Sequence, residues 1–479
     1  MIAITSRAAS DARESVRAQT REHADILRML GVRRVLGVIT KSDLVDGEQI
    51  RCVEEDVSSL LGPMLHGVVA CSAKTGDGLD ALRDALAALP VEGQKSLDEA
   101  PFRMPVDRVF SMHGSGTVVT GTVWQGGVGV GDTLGFAPGG GSARVRGIQS
   151  RGEPVDSVRA GQRAAINVAF DGDAPVRGHE LVALRCFVAT RRLTVELELL
   201  RSSERPLRSG ARVLVMLGTR AETASLQHDD RKQNEPGDRG LVQLIFGAEV
   251  VAAGGQALLV RAGSPETTIG GGVVRSVFAP GLGGSDDEWH RRLRLLGEAA
   301  SSERLQAAAW MLGERSWDKA LVHQEAGVWE ESTPGVDFAS GRIEQTRLDR
   351  LLERVMSRIE SLSDGAAVAR SRVVSAIPVR EAVDVSAAID HLVSRQLLIE
   401  GPSGVSLAES EPHIAPEDRA ALERLGEIYD AHGAAPPLAD DVAKALPVRL
   451  NEARRLIKLA SEQGVLVLVS GGLFLSSSV

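Results

Sequence analysis

Two short polar motifs, Thr40-Lys41-Ser42-Asp43 and Ser72-Ala73-Lys74, each close an apolar run, and their residue types suit the reading of one nucleobase. The Asp43 carboxylate can accept two hydrogen bonds, from N1–H and the exocyclic amine of guanine, a pair of donors that adenine does not offer. The Lys41 stem can lie against the purine face. The Ala73 backbone N–H can donate to O6, with Ser72 and Lys74 bracing that loop and Thr40 ending the strand before it. Taken singly each motif is ordinary, because an Asp in this setting is also a good helix cap. Their succession at two strand ends carries the signal.

The complementary chemistry is missing from the sequence. Phosphoryl transfer needs a loop of the form GxxxxGK[ST], which supplies backbone N–H groups, a lysine and a magnesium-binding hydroxyl, and no such loop occurs in the 479 residues. We therefore assign no catalytic residue and no metal ligand. The base-reading half of a nucleotide site is present without its phosphate-handling half.

The elements that would position these motifs alternate. Residues 20–30 read as a helix, 35–39 as a strand, 52–61 as a helix, 68–70 as a strand and 80–89 as a helix. Alternation of this kind implies parallel βαβ units, whose ligand loops leave the carboxyl ends of the strands. Both motifs sit at such ends. From 101 to about 280 helical periodicity gives way to short Val- and Leu-rich runs between Gly-rich turns, with a break near Gly178-His179, and two small barrels are expected. Beyond 283 a unit of three helices and a hairpin recurs: helices at 348–362, 367–376 and 385–396, then at 416–431, 438–446 and 450–463, each set followed by two short strands. That is the pattern of a winged helix-turn-helix, and 286–330 reads as a degenerate further copy.

The fold class is thus multidomain: a partial α/β domain over 1–95, all-β barrels over 101–177 and 178–282, a degenerate winged helix over 284–340, and winged helices over 341–410 and 411–479. A net charge of −9 argues against coating nucleic acid by bulk electrostatics, so any RNA contact needs local basic patches. Cys52, Cys71 and Cys186 are odd in number and widely spaced, which disfavours a disulfide framework or a zinc site. No apolar run has bilayer length, and residues 1–17 lack the apolar core of a secretory signal, so a cytoplasmic protein without a membrane partner is expected.

Gln19-Thr20-Arg21-Glu22-His23, ahead of the first strand, resembles the translational GTPase family, which carries a similar helix before its guanine-specificity strand. Val106-Asp107-Arg108-Val109-Phe110 with His113-Gly114-Ser115-Gly116-Thr117-Val118-Val119-Thr120-Gly121 is similar to the opening of the second domain of translation factors. Ser264-Pro265-Glu266-Thr267-Thr268-Ile269-Gly270-Gly271-Gly272-Val273-Val274, with Leu217-Gly218-Thr219, closely resembles the bacterial selenocysteine-specific elongation factors. Elongation factor Tu stops after its third domain, whereas that family continues into winged helices.

The resemblance implies GTP and Mg²⁺ as cofactors of the intact family. It implies selenocysteinyl-tRNA, a selenoprotein mRNA hairpin and the ribosome as partners of a monomeric factor acting at UGA codons. It further implies a selenocysteinyl pocket at Asp107, Arg108 and Arg163, the last in a Gly161-Gln162-Arg163 turn. A selenol is largely ionised at neutral pH, and a permanently charged guanidinium favours it over a serine hydroxyl. In the last winged unit Arg449, Arg454, Arg455 and Lys458 lie on or beside the third helix, where they could grip RNA phosphates, although Asp440, Asp441, Glu452 and Glu462 surround them.

Two departures from the family accompany this. Its phosphate loop, switch regions and magnesium ligands would precede Gln19, where only residues 1–18 stand, so GTP hydrolysis is not carried over and a shortened form is expected. The family also has four winged helices, the last of which reads the mRNA hairpin, and the sequence ends after what reads as the third. A non-catalytic tRNA- and mRNA-binding adaptor of the same descent is the alternative. A winged-helix DNA-binding regulator is disfavoured by the acidic balance.

Overall fold

The apolar runs at 35–39 and 68–70 become neighbours in a parallel sheet, because each is flanked by a helix that returns the chain to the same edge. The structure is a computed structural model that describes residues 10–11, 18–89, 97–112, 116–228, 233–263, 267–278, 287–313, 316–329, 333–339, 341–363, 367–377, 382–402, 404–408, 416–433, 435–462, 465–470 and 473–476. Positions 113–115 and 264–266 of two of the motifs, and nearly all of 1–17, lie outside the described residues.

Strands β1 (Ser10–Asp11), β2 (Val35–Thr40) and β3 (Leu65–Cys71) form the parallel sheet, with Ile39 opposite Ala70 and Thr40 opposite Cys71. Helix α1 (Ala18–Met29) precedes β2, α2 (Gly47–Leu61) joins β2 to β3, and α3 (Leu79–Ala87) follows β3. Asp46 caps α2 by accepting from the N–H groups of Glu48 and Gln49 at 3.1 and 2.9 Å. Ala24, Ile39, Val53, Val57 and Leu61 make the small core between sheet and helices.

The first barrel is built from β4 (Arg103–Met112), β5 (Gly116–Thr122), β6 (Gly127–Gly129), β7 (Thr133–Ala137), β8 (Ser142–Ser150), β9 (Glu153–Val155), β10 (Ser157–Arg159), β11 (Arg163–Phe170) and β12 (Glu180–Ala183). Its order β11-β5-β4-β12-β7-β8 closes through the β8–β11 pairing. Closure satisfies the backbone without leaving an edge. The second barrel follows with β13 (Thr190–Leu199), β14 (Leu207–Arg208), β15 (Arg212–Leu217), β16 (Arg220–His228), β17 (Gln233–Asn234), β18 (Arg239–Val250), β19 (Ala257–Arg261) and β20 (Thr268–Ser276), closed in the order β13-β18-β16-β15-β19-β20. Inward-facing Leu193, Val195, Leu197, Val215, Leu226, Leu244, Leu258 and Val260 fill it.

A buried polar cluster ties the two barrels together. Arg103 on β4 is buried and forks onto Glu180 through Nε and Nη2, at 2.6 and 2.9 Å, and the same Nη2 also donates to Gln256 Oε1, ahead of β19 of the second barrel, at 2.8 Å. Its guanidinium also lies 5.2 Å from the Trp124 ring and 5.1 Å from the Phe187 ring. The three-glycine strand β20 explains part of the motif that singled it out. A Cβ at Gly271 would stand 2.6 Å from the Met29 Cβ, so α1 packs on β20 only because that residue has no side chain. Thr268 adds a 3.2 Å hydrogen bond to Glu22 of the Gln19–His23 stretch.

Residues 287–343 hold helices Asp287–Glu298, Ser301–Met311 and Lys319–Ala326 followed by the antiparallel hairpin Val336–Phe338 and Gly341–Ile343. Expected as a degenerate copy ending at 340, this unit has a wing that runs on to Ile343. Its third helix docks on the second barrel through Gln324, which exchanges hydrogen bonds with both backbone groups of Val188 at 2.8 and 2.9 Å and donates to Ala252 at 2.8 Å. Next to it the wholly buried Glu325 accepts from the Ser276 hydroxyl and from the N–H groups of Val277 and Phe278.

The chain divides into two units, Met1–Arg350 and Leu351–Val479. The helix Gln345–Leu362 leads into the second, which contains helices Arg370–Ala376 and Ala382–Ser394 with the hairpin Leu398–Gly401 and Gly404–Leu407. Helices Pro416–His432, Ala439–Ala445 and Leu450–Glu462 with the hairpin Leu466–Ser470 and Leu473–Ser476 follow. The helix expected from 367 starts at Arg370, because Val368 ahead of it is held extended by an isolated antiparallel bridge to Val405 of the wing. Trp317 bridges to Arg342 in the same way in the earlier unit. The expected junction at 410/411 falls outside the described residues.

Candidate functional site

At the carboxyl end of β2 the chain turns sharply. Lys41 takes the left-handed conformation, φ 59° and ψ 36°, which a branched or bulky residue adopts only at a cost, and it launches a single 3-10 turn, Ser42–Leu44. That turn leaves Asp43 exposed at the sheet edge. The second loop comes to meet it. Ser72 is buried, donates its hydroxyl to Asp43 Oδ1 at 2.6 Å, and accepts from the N–H groups of Lys74 and Thr75, both at 3.2 Å.

Ser72 thus links the two motifs by holding Oδ1 of the exposed Asp43, and the exposed Ala73 follows it in the second loop. These residues fit a guanine base: a carboxylate for two N–H donors, a backbone N–H for O6, and a lysine stem at the ring face. Of the expected guanine-site residues, the structure joins Asp43 to Ser72 directly. Lys41, Ala73 and Lys74 stand in the same two loops, and Thr40 ends β2. Residues for the phosphates and Mg²⁺ are not found among those described.

The second constellation depends on a break in strand alternation. Met104 and Val106 of β4 face the first barrel's core, and so does Val109, whereas Arg108 and Phe110 face out. Strict alternation cannot give that pattern. Val106 pairs with Gly121 and Arg108 with Thr120, so Asp107 is the extra residue of a β-bulge, and both members of the Asp-Arg pair turn to the outer surface. Arg163 opens β11, which runs beside β5, and it presents its side chain there too.

Arg163 Nη1 lies 2.6 Å from Asp107 Oδ2 and Nη2 lies 3.2 Å from Oδ1, while the Thr120 hydroxyl donates to Oδ1 at 2.6 Å. Burial raises the Asp107 carboxyl, but the hydrogen bonds from Arg163 and Thr120 and the charges of Arg163 and Arg108 together hold it below the ordinary carboxylate range. The Arg163 guanidinium is raised in turn, chiefly by its bond to Asp107. All three expected pocket residues therefore converge. Thr120 stood inside a quoted motif but was given no role, and its signal was a hydroxyl opposite the bulge.

The basic cluster of the last winged unit is only partly assembled. Arg449 caps the helix Leu450–Glu462 through its carbonyl, and Arg455 is committed to Glu452 at 2.6 Å. Arg454 and Lys458 flank a groove floored by Tyr429, Leu438, Ile457, Leu473 and Phe474.

A parallel sheet followed by two closed antiparallel barrels gives the chain the fold of a translational GTPase. The family model "Elongation factor Tu GTP binding domain" matches residues 8–91. Selenocysteine-specific elongation factors from Desulfomicrobium baculatum and Escherichia coli are 36% and 31% identical over 265 and 320 residues, which cover 54% and 64% of this chain and 42% and 50% of those proteins. The solved structure described as bacterial selenocysteine-specific elongation factor EF-Sec aligns over 98% of this chain and 76% of that one, with a TM-score of 0.72 at 20% identity, a likeness of fold. Over these stretches the chain is similar to selenocysteine-specific elongation factors. It spans half or less of the length of these two curated relatives.

Proposed function

We propose that this chain binds selenocysteinyl-tRNA through its two barrels, with Asp107, Arg108 and Arg163 receiving the selenolate. The observation that carries the reading is the bulge at Asp107, which brings two arginines and one carboxylate to one patch of the barrel surface. A patch of net positive charge attracts a selenolate and gains little from a neutral hydroxyl. The tRNA backbone is common to selenocysteinyl- and seryl-tRNA, so only the aminoacyl group can be discriminated.

In the wider reading the factor delivers this tRNA to the ribosome at UGA codons. GTP and Mg²⁺ would serve the complete nucleotide domain, and the winged helices would face a selenoprotein mRNA hairpin, with Arg449, Arg454, Arg455 and Lys458 as candidate phosphate contacts. Asp43 and Ala73, with Thr40, Lys41, Ser72 and Lys74, would select guanine. The second reading is an adaptor of the same descent that binds tRNA and mRNA without nucleotide chemistry. The two part on one measurement. Titration of selenocysteinyl-tRNA with and without GTP and Mg²⁺, added in an excess that offsets weak nucleotide binding, gives tighter binding with GTP in the first reading and equal binding in the second; equal affinity for selenocysteinyl- and seryl-tRNA rejects both.

A further inference from the structure

We propose that Thr120 is a positioning residue of the aminoacyl pocket, holding the Asp107 carboxylate on Arg163 so that Arg108 is left to face an incoming anion. The inference rests on the selenolate reading above and goes beyond it by naming what sets the pocket's charge.

The geometry is specific. Because the bulge makes Asp107 the unpaired residue of β4, no partner strand fixes its direction, and its side chain is held by what it bonds. Oδ2 takes the shorter Arg163 contact at 2.6 Å, whereas Oδ1 has the longer one at 3.2 Å and depends on the Thr120 hydroxyl at 2.6 Å. An O–H to carboxylate bond of that length is among the stronger neutral-to-charged hydrogen bonds. Thr120 pairs with Arg108 across the strands, so the residue that donates to the carboxylate is also the cross-strand neighbour of the second arginine.

Two guanidinium groups and one carboxylate leave a single positive charge, which matches a single selenolate. Without the hydroxyl, Oδ1 would be free to turn toward Arg108, whose charge already acts on Asp107. The carboxylate would then be shared between both arginines. The charge offered to the anion would weaken although no arginine had been lost.

The test compares wild type, Thr120→Val and Thr120→Ser in the full chain. The ratio of seryl- to selenocysteinyl-tRNA dissociation constants is measured on one tRNA, at pH values above and below the selenol's own titration. Removing one hydrogen bond to a charged group should lower the wild-type ratio about three- to tenfold in Thr120→Val. Seryl-tRNA affinity should hold, the rise of the ratio with pH should flatten, and Thr120→Ser should restore both. A wild type that discriminates alongside an equally discriminating Thr120→Val overturns the role of Thr120 alone. Equal loss in Thr120→Val and Thr120→Ser assigns Thr120 to packing and overturns it as well. A wild type without preference at any pH removes the selenolate reading and this inference with it.

Discussion

Arg163 and Asp107, 56 residues apart in sequence, meet at two points on the outside of the first barrel, with Nη1 2.6 Å from Oδ2. Their side chains are 56% and 28% exposed, so the pair stabilises the fold by no more than about 1 kcal/mol. Its consequence is where charge stands. Because the carboxyl is held below its ordinary range, the pair's small stabilisation is present above the unfolded carboxylate value and is lost only as pH falls through the lowered one. Asp107→Asn should therefore leave the melting temperature nearly unchanged at neutral pH while altering the preference between aminoacyl groups. A large loss of stability would mean that the pair is structural.

The guanine loops give a second expectation. Most nucleotide affinity in this class of site comes from phosphates and Mg²⁺, so GDP and GTP should bind the chain weakly and GTP should not be hydrolysed by it. Asp43→Asn should abolish what binding there is. Ser72→Ala, which removes the 2.6 Å bond that aims Asp43, should weaken it severalfold. Calorimetry with GDP, GTP and the adenine nucleotides decides this. Tight binding, or binding indifferent to Asp43→Asn, would contradict it.

Glu325 sets a pH dependence. Burial pushes its carboxyl up to about 7 from 4.5, against the Ser276, Val277 and Phe278 donors that favour the charged form. A raised carboxyl binds its proton more tightly in the folded state. Its contribution is thus fully present below the unfolded value and is lost as pH rises to about 7, by up to about 3 kcal/mol. Thermal unfolding of Glu325→Gln should lose this slope. An identical slope in the variant would place its origin elsewhere.

Gly271 offers a test of packing. A Cβ there would lie 2.6 Å from the Met29 Cβ, so Gly271→Val should cost about 1–3 kcal/mol by forcing α1 from β20. Met29→Ala in the same chain should recover part of that loss, because it removes the atoms beyond the Cβ that the valine displaces. Additive effects in denaturant titrations would show that the two residues do not press on each other.

Much of this was legible before the structure. Apolar runs separated by helices foretold the parallel sheet, and Val-rich runs between glycines foretold the barrels, because period and turn chemistry are local properties. The guanine loops and the Asp107, Arg108 and Arg163 set were named from motif and resemblance. The bulge was not visible, since it lies in a register between β4 and β5 that no single strand encodes. The buried Arg103–Glu180 pair joins residues 77 apart, and Glu325 reads as one more surface carboxylate until the second barrel covers it. Start of a helix at Arg370 rather than 367 likewise turned on a bridge to Val405, a long-range contact.

Selection of selenocysteinyl-tRNA by the Asp107, Arg108 and Arg163 patch is tested most directly by competition between selenocysteinyl- and seryl-forms of one tRNA for the full chain, in wild type and in Arg163→Ala. A clear wild-type preference for the selenocysteinyl form is expected, falling toward unity in the variant, with seryl-tRNA affinity little changed. Equal affinities in the wild type, or a preference that survives Arg163→Ala intact, would contradict it.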